Sequence, residues 1–215
     1  MAVDFEDLLR VVGDAPVFTT GLLLVGDVRP ASVRRQLCRW VGDRRVVQLR
    51  RGLYALAPPY QKIVPHPFVI ANAMTKGSYV STQSALAHHG LIPEAVVSTT
   101  SVASARPGEW HTALGSFLVR HIKPTLRYGY VLVEVASGQT AFVATPEKAL
   151  LDLVHLEPRA DEPAYVDALR LQYLERLDLS FMRALAVRAE SPKLLRSAEI
   201  IARLAREQGE EYQVL

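Results

Sequence analysis

A single cysteine, Cys38, stands in 215 residues, so the chain can build neither an internal disulfide framework nor a multi-cysteine zinc site. No uninterrupted apolar run approaches the roughly 18 to 20 residues of a membrane span. The opening Met1-Ala2-Val3-Asp4-Phe5-Glu6-Asp7 is acidic and does not read as a secretory signal. Catalytic signatures are missing as well. A nucleotidyltransferase needs a Gly-Ser followed closely by two metal-binding carboxylates, and Gly77-Ser78 has only Glu94 and Glu109 downstream before Glu134. A restriction-type nuclease needs a Glu-x-Lys on a strand, and none occurs. No Gly-x-Ser-x-Gly or phosphate-binding loop is present. The six histidines (His66, His88, His89, His111, His121, His155) show no i, i+4 pair. The expectation is a cytoplasmic protein with no catalytic residue, metal or cofactor.

What is present is a core-forming composition, with 49% hydrophobic and 22% charged residues, which argues against disorder. The length suggests about one to two domains. The net charge of +3 is small, but its distribution is uneven. Arg29–Arg51 contains eight arginines, no lysine and one acid, Asp43, a net +7 over 23 residues. Residues 61–215 balance to zero. Arginine forks onto phosphate or a guanine edge, whereas lysine acts more as a point charge.

Periodicity and capping signals divide the chain. A first helix is expected over Asp4–Val12, ended by Gly13. Thr19-Thr20 would cap a short helix over Gly21–Val25, and Gly26-Asp27 would break the chain. A third helix would follow, with Ser32 as its cap, ending near Gly42. Two β-patterned runs, Val46–Leu49 and Leu53–Leu56, flank the turn Arg50-Arg51-Gly52. Three short helices and a hairpin form the layout of a winged helix-turn-helix over residues 1–58. The bland alternative is a small, basic α+β core. Four prolines from Pro58 to Pro67 mark a stiff linker, read over residues 59–66. Residues 67–215 read as a mixed α+β domain ending in helices, so the fold class expected is α+β. Within it, short helices are expected over Phe68–Met74 and Thr82–His89, the second capped by Ser81. Strands are expected over Val96–Ala103 and Phe117–Ile122, and a hairpin over Tyr130–Val135 and Thr140–Ala144. Thr145-Pro146 opens a helix to about Leu156, and Ser191-Pro192 opens the last one.

On a helical wheel of the third helix, Val33, Leu37, Trp40 and Val41 share the core side. Ser32, Arg35 and Arg39 fall opposite, with Arg34 on a flank. Arg35 and Arg39 are candidates for base edges, Ser32 for a base or phosphate, and Arg34 and Arg44 for phosphates. Arg50 and Arg51 sit at the hairpin tip. Thr19, Thr20 and Arg45 complete the candidate DNA-binding set. Glu147 suits the first turn of its helix, and Lys148 and Asp152 suit a surface i, i+4 pair.

Three segments carry a family resemblance. Arg34–Leu56, ending in Arg50-Arg51-Gly52-Leu53-Tyr54-Ala55-Leu56, resembles the winged N-terminal domain of the AbiEi antitoxins. These belong to a bacterial type IV toxin–antitoxin system linked to phage abortive infection. Tyr79-Val80-Ser81-Thr82-Gln83-Ser84-Ala85-Leu86-Ala87-His88-His89-Gly90-Leu91 resembles that family's "YVS..SAL..HGL" element. Ala144-Thr145-Pro146-Glu147-Lys148-Ala149-Leu150-Leu151-Asp152 resembles its "TPE[KR]ALLD" helix. The resemblance runs from about Phe18 to Leu156, and the tail matches only in being helical. It implies a repressor that binds inverted repeats in the promoter of its own operon, with two copies per operator on double-stranded DNA. It also implies a C-terminal antitoxin domain and a genetic partner, a nucleotidyltransferase-like toxin, with direct contact left open. A stand-alone winged-helix regulator is the alternative reading, and a nucleic-acid-processing enzyme the third.

Overall fold

The structure is a computed structural model that describes residues 4–24 and 28–213. The protein is a mixed α+β chain. Helix α1 (Phe5–Val12) starts where Asp4 and Asp7 exchange side-chain and backbone hydrogen bonds, a capping box. A two-residue strand β1 (Phe18–Thr19) follows, then a single 3-10 turn over Thr20–Leu23. That turn replaces the expected α-helix over 21–25. Thr19 makes no side-chain cap bond, and Gly21 in the first turn carries the entropic cost that disfavours helix. The predicted break at Gly26-Asp27, and Val25, lie outside the described residues.

Helix α2 (Pro30–Gly42) begins two residues before the expected cap. Proline at the first helical position lacks only an N–H that has no intrahelical partner there, so Pro30 starts the helix and Ser32 lies inside its first turn. Strands β2 (Val46–Arg50) and β3 (Leu53–Leu56) form the hairpin, turning at Gly52 with φ +83°. With β1 they make an antiparallel sheet in the order β1-β3-β2.

The rest of the chain is built on a six-stranded sheet. Helix α3 (Pro67–Met74) precedes β4 (Tyr79–Val80) and α4 (Thr82–His88). Strands β5 (Ser98–Ala103), β6 (Gly108–Thr112), β7 (Gly115–His121), β8 (Tyr130–Ala136) and β9 (Gln139–Ala144) complete the sheet in the order β6-β7-β5-β4-β9-β8. The pairs β5/β7 and β4/β9 are parallel and the others antiparallel. Strand β6 was not expected, because Gly108-Glu109-Trp110-His111-Thr112 carries no apolar alternation; it pairs as an edge. Helix α5 (Pro146–Leu156) opens as predicted, with the Thr145 hydroxyl accepting from the Lys148 N–H at 3.3 Å. It packs against α4, and against α7 (Leu179–Arg188) and α8 (Pro192–Gln213), with α6 (Pro163–Ala168) between. Every residue from Glu147 to Val154 is buried. The α8 stripe of Leu194, Ala198 and Ile201 is buried in the same core.

Buried hydrophobics form two clusters. The smaller joins Leu8, Val12, Val33, Leu37 and Trp40 to Val46, Tyr54 and Leu56 of the hairpin. The larger fills the six-stranded sheet and its helices, and it includes Leu49, Leu53 and Ala55 from the other face of the same hairpin. Strand alternation explains the division, since successive β3 side chains point to opposite faces. The proline-rich segment is pinned at both ends. Tyr60 packs edge-on against Phe5 at 4.8 Å, while Gln139 bonds the backbone of Val64 and His66. No described helix is long and apolar enough to cross a membrane.

Candidate nucleic-acid interface

Helix α2 is amphipathic in the sense the wheel predicts. Val33, Leu37 and Trp40 are buried, and Trp40 meets Phe5 edge-on at 5.5 Å. Arg34, Arg35, Cys38 and Arg39 are exposed. The helix is therefore fixed by its apolar face and offers a cationic one.

Between α2, the 3-10 turn and the hairpin lies an open groove of about 480 Å³, lined by Thr20, Arg34, Cys38, Gln48, Arg51 and Tyr54, among others. The Thr20 N–H donates to the Gly52 carbonyl at 3.1 Å, which ties the turn to the hairpin tip and sets one wall of the groove. Arg34 and Arg51 thus face a common space from two elements. Arg35 and Arg39 are exposed on α2 outside the groove lining, and Arg44 is exposed just past the helix end. Among the described residues, no carboxylate lies within ion-pair distance of any arginine from Arg29 to Arg51.

The remaining sequence candidates stand apart. Arg45 is half-buried, with its guanidinium 5.0 Å above the Phe5 ring. Arg50 is half-buried and donates from Nη1 to the Arg51 carbonyl at 3.1 Å, so Arg51 is the freer of the two tip arginines. Ser32 is half-buried, and Thr19 is exposed in β1 outside the groove lining. Sequence reasoning missed Cys38, Gln48 and Tyr54 as groove residues. Cys38 follows Arg34 by four positions, one helical turn, and that spacing was the available signal.

A second polar constellation lies in the interior. Lys148 and Asp152 do pair at i, i+4, but at 3% and 1% exposure they are not the surface pair expected. Asp152 also accepts from the Ser81 hydroxyl at 2.7 Å and the Tyr79 hydroxyl at 3.0 Å. Ser81 therefore spends its hydroxyl on Asp152 rather than on capping α4. The Lys148 ammonium sits 5.0 Å from the Tyr128 ring and 5.9 Å from that of Tyr79. Burial, and then the Asp152 charge, push the Tyr79 phenol far up, so it stays a donor. Glu147, also buried, accepts from the Asp178 N–H at 3.0 Å. Asp152 thus has three donors, and Glu147 has one, so neither buried carboxylate is left without a partner. The arrangement ties β4, α4, α5 and α7 together, with Tyr79, Ser81, Glu147, Lys148 and Asp152 buried and the Asp178 end of the last link exposed.

No protein-family model matches the chain, and a search of curated proteins finds no match either. Among the described residues no group of three His, Cys, Asp or Glu side chains is placed to hold a metal ion.

Proposed function

We propose that residues 1–58 form a winged helix-turn-helix that binds double-stranded DNA, and that the protein is a sequence-specific autorepressor. In this reading α1, the 3-10 turn and α2 are the three helical elements, and β2–β3 is the wing. Residues 67–215 form the partner domain beyond the 59–66 linker, and the protein acts in the cytoplasm as a binding protein rather than an enzyme. The observation that carries the reading is the set of exposed arginines on α2 and the hairpin tip. Arg34 and Arg51 line one groove, and Arg35 and Arg39 are exposed on the same helix. None of them is at ion-pair distance from a carboxylate among the described residues. Unpaired guanidinium groups on a helix and a hairpin that share a groove suit base edges and phosphates together. Arg35 and Arg39 would read bases, while Arg34, Arg44 and Arg51 would hold the backbone.

The antitoxin assignment rests on the resemblance of three sequence elements to the AbiEi family. With it comes the expectation of a nucleotidyltransferase-like toxin and of inverted repeats in the promoter of the shared operon. Each winged helix covers one half-site, so an inverted repeat takes two copies.

Footprinting on the upstream promoter tests the DNA reading. A protected inverted repeat is expected, and absence of protection over any repeat would overturn it. Co-expression with a nucleotidyltransferase-like gene from the same operon tests the antitoxin reading. Restored growth supports it, and unrelieved toxicity leaves a stand-alone regulator.

A further inference from the structure

We propose that the β8 edge of the six-stranded sheet is a homodimer interface, in which β8 pairs antiparallel with β8 of a second copy about a two-fold axis at Leu132. The proposal draws on the two-copy operator reading above, but the dimer it describes forms without DNA.

The two edges of the sheet differ. At one edge, β6 carries Glu109 and His111, and β2 of the hairpin packs near it. At the other, β8 reads Tyr130-Val131-Leu132-Val133-Glu134-Val135-Ala136, with one charge and no proline or lysine. Among the described residues, β9 is the one strand paired with it. Val131 and Leu132 are 48% and 57% exposed, and Phe142, opposite Leu132 on β9, is 44% exposed. Edge strands of soluble proteins are usually blunted by charge, proline or a cover, because their open backbone groups template pairing. Here the blunting devices are nearly absent.

The direction of those backbone groups follows from Asn72. Its side-chain amide accepts from the Phe142 N–H at 2.6 Å and donates to the Phe142 carbonyl at 3.3 Å. Phe142 therefore turns its backbone away from β8, and Leu132 across the ladder turns its own away from β9, toward the open edge. Tyr130 and Glu134, two residues either side, point the same way.

A register shift between Glu134 and Ala136 ends the regular ladder, which leaves Tyr130–Glu134 with Leu132 at its centre. A two-fold at Leu132 pairs Leu132 with its own copy and Tyr130 with Glu134, so every outward N–H and C=O of the stretch finds a partner. It also sets the one carboxylate against a tyrosine. Centring on Glu134 would oppose two carboxylates, and centring on Val133 would leave Tyr130 facing the irregular end. The strand is complementary to itself, and the occupant it fits best is a second copy.

Sedimentation of the full chain without DNA, over a range of micromolar concentrations, is expected to show a monomer–dimer equilibrium. Leu132→Lys and Leu132→Pro should be monomeric with melting temperatures near that of the parent, since the N–H that proline removes faces away from β9. In a Cys38→Ser background, Leu132→Cys should cross-link on oxidation, because hydrogen-bonded antiparallel pairs sit about 5.5 Å apart at Cα, a favoured disulfide spacing. Val131→Cys, which faces Val133 of the other copy, should not. A monomeric parent at all concentrations would overturn the proposal. So would a dimer that survives Leu132→Lys, or cross-linking of Val131→Cys as efficient as that of Leu132→Cys. A dimer that binds no promoter duplex would sink the DNA reading and leave this interface standing.

Discussion

In α2 and the β2–β3 hairpin, Arg34, Arg35, Arg39 and Arg51 reach solvent with no described carboxylate at ion-pair distance, whereas in α5 Lys148 and Asp152 are paired inside the core. The two settings give charge opposite work. A solvated arginine costs the fold nearly nothing and keeps its donors for a ligand. A buried pair has given up its hydration, so its donors and acceptors are committed to each other and to Tyr79 and Ser81. The contrast separates residues expected to govern binding from residues expected to govern stability.

The largest test of that separation is Asp152→Ala, which leaves the Lys148 ammonium buried and unpaired. A loss of about 3–5 kcal/mol in urea denaturation is expected. The double variant Lys148→Ala/Asp152→Ala should lose clearly less than the sum of the two single changes. Strict additivity would mean the pair is not a unit.

Arg35→Ala and Arg39→Ala should each cost about 1–3 kcal/mol of preference for operator over unrelated DNA. Their urea stability should stay within about 0.5 kcal/mol of the parent. Destabilised variants with unchanged DNA preference would erase the contrast. With Arg34, Arg44 and Arg51 on phosphates, the log–log salt slope per copy should be about −3. Arg51→Ala should flatten it by about one and weaken binding to all sequences alike. Arg50→Ala should do less, because Arg50 is already engaged with the Arg51 carbonyl.

Thr145→Ala removes a helix cap while leaving the buried pair intact, and about 1 kcal/mol should be lost. A loss as large as that for Asp152→Ala would show that the cap and the pair cannot be separated.

The smallest effect is that of pH. Partial desolvation of its ring, and then the neighbouring His89 and His66, hold His88 below the ordinary value of 6.5 although the residue as a whole is exposed. Burial is the main cause of the lowering at His155. The unfolded chain therefore takes up protons before the folded one as pH falls. Stability from these groups is fully present above about 6.5 and declines as acid titrates them in the folded state. The melting temperature of His88→Asn should fall less steeply on the acid side than that of the parent.

Local signals carried much of this structure. The first helix, expected over Asp4–Val12 and found over Phe5–Val12, the Thr145-Pro146 helix start and the two hairpins depend on neighbours a few residues away, and each lies within a residue or so of where sequence reasoning put it. The wheel of α2 likewise exposed Arg35 and Arg39, because it needs only one apolar face to be known. Two misses were local, the 3-10 turn at Gly21 and the start of α2 at Pro30, and the others depend on distant chain. Lys148 and Asp152 have the same spacing whether a helix is solvated or wrapped, and only the packing of α4, α7 and α8 around α5 decides. Arg45 could not be told from its neighbours without knowing that the Phe5 ring lies beneath it. Strand β6 is held by its register with β7 rather than by any pattern of its own.

The two-faced hairpin has a consequence for how the molecule comes apart. Tyr54 and Leu56 belong to one apolar cluster, and Leu53 and Ala55, on the same strand, belong to the other. Heat cannot melt one cluster without stripping a wall from its neighbour, so calorimetry should record one transition rather than two. A fragment ending at Pro58 would carry Leu49, Leu53 and Ala55 into water as a sticky face. The strand that bears the arginine-rich tip is thus also the seam along which the whole chain unfolds as a unit.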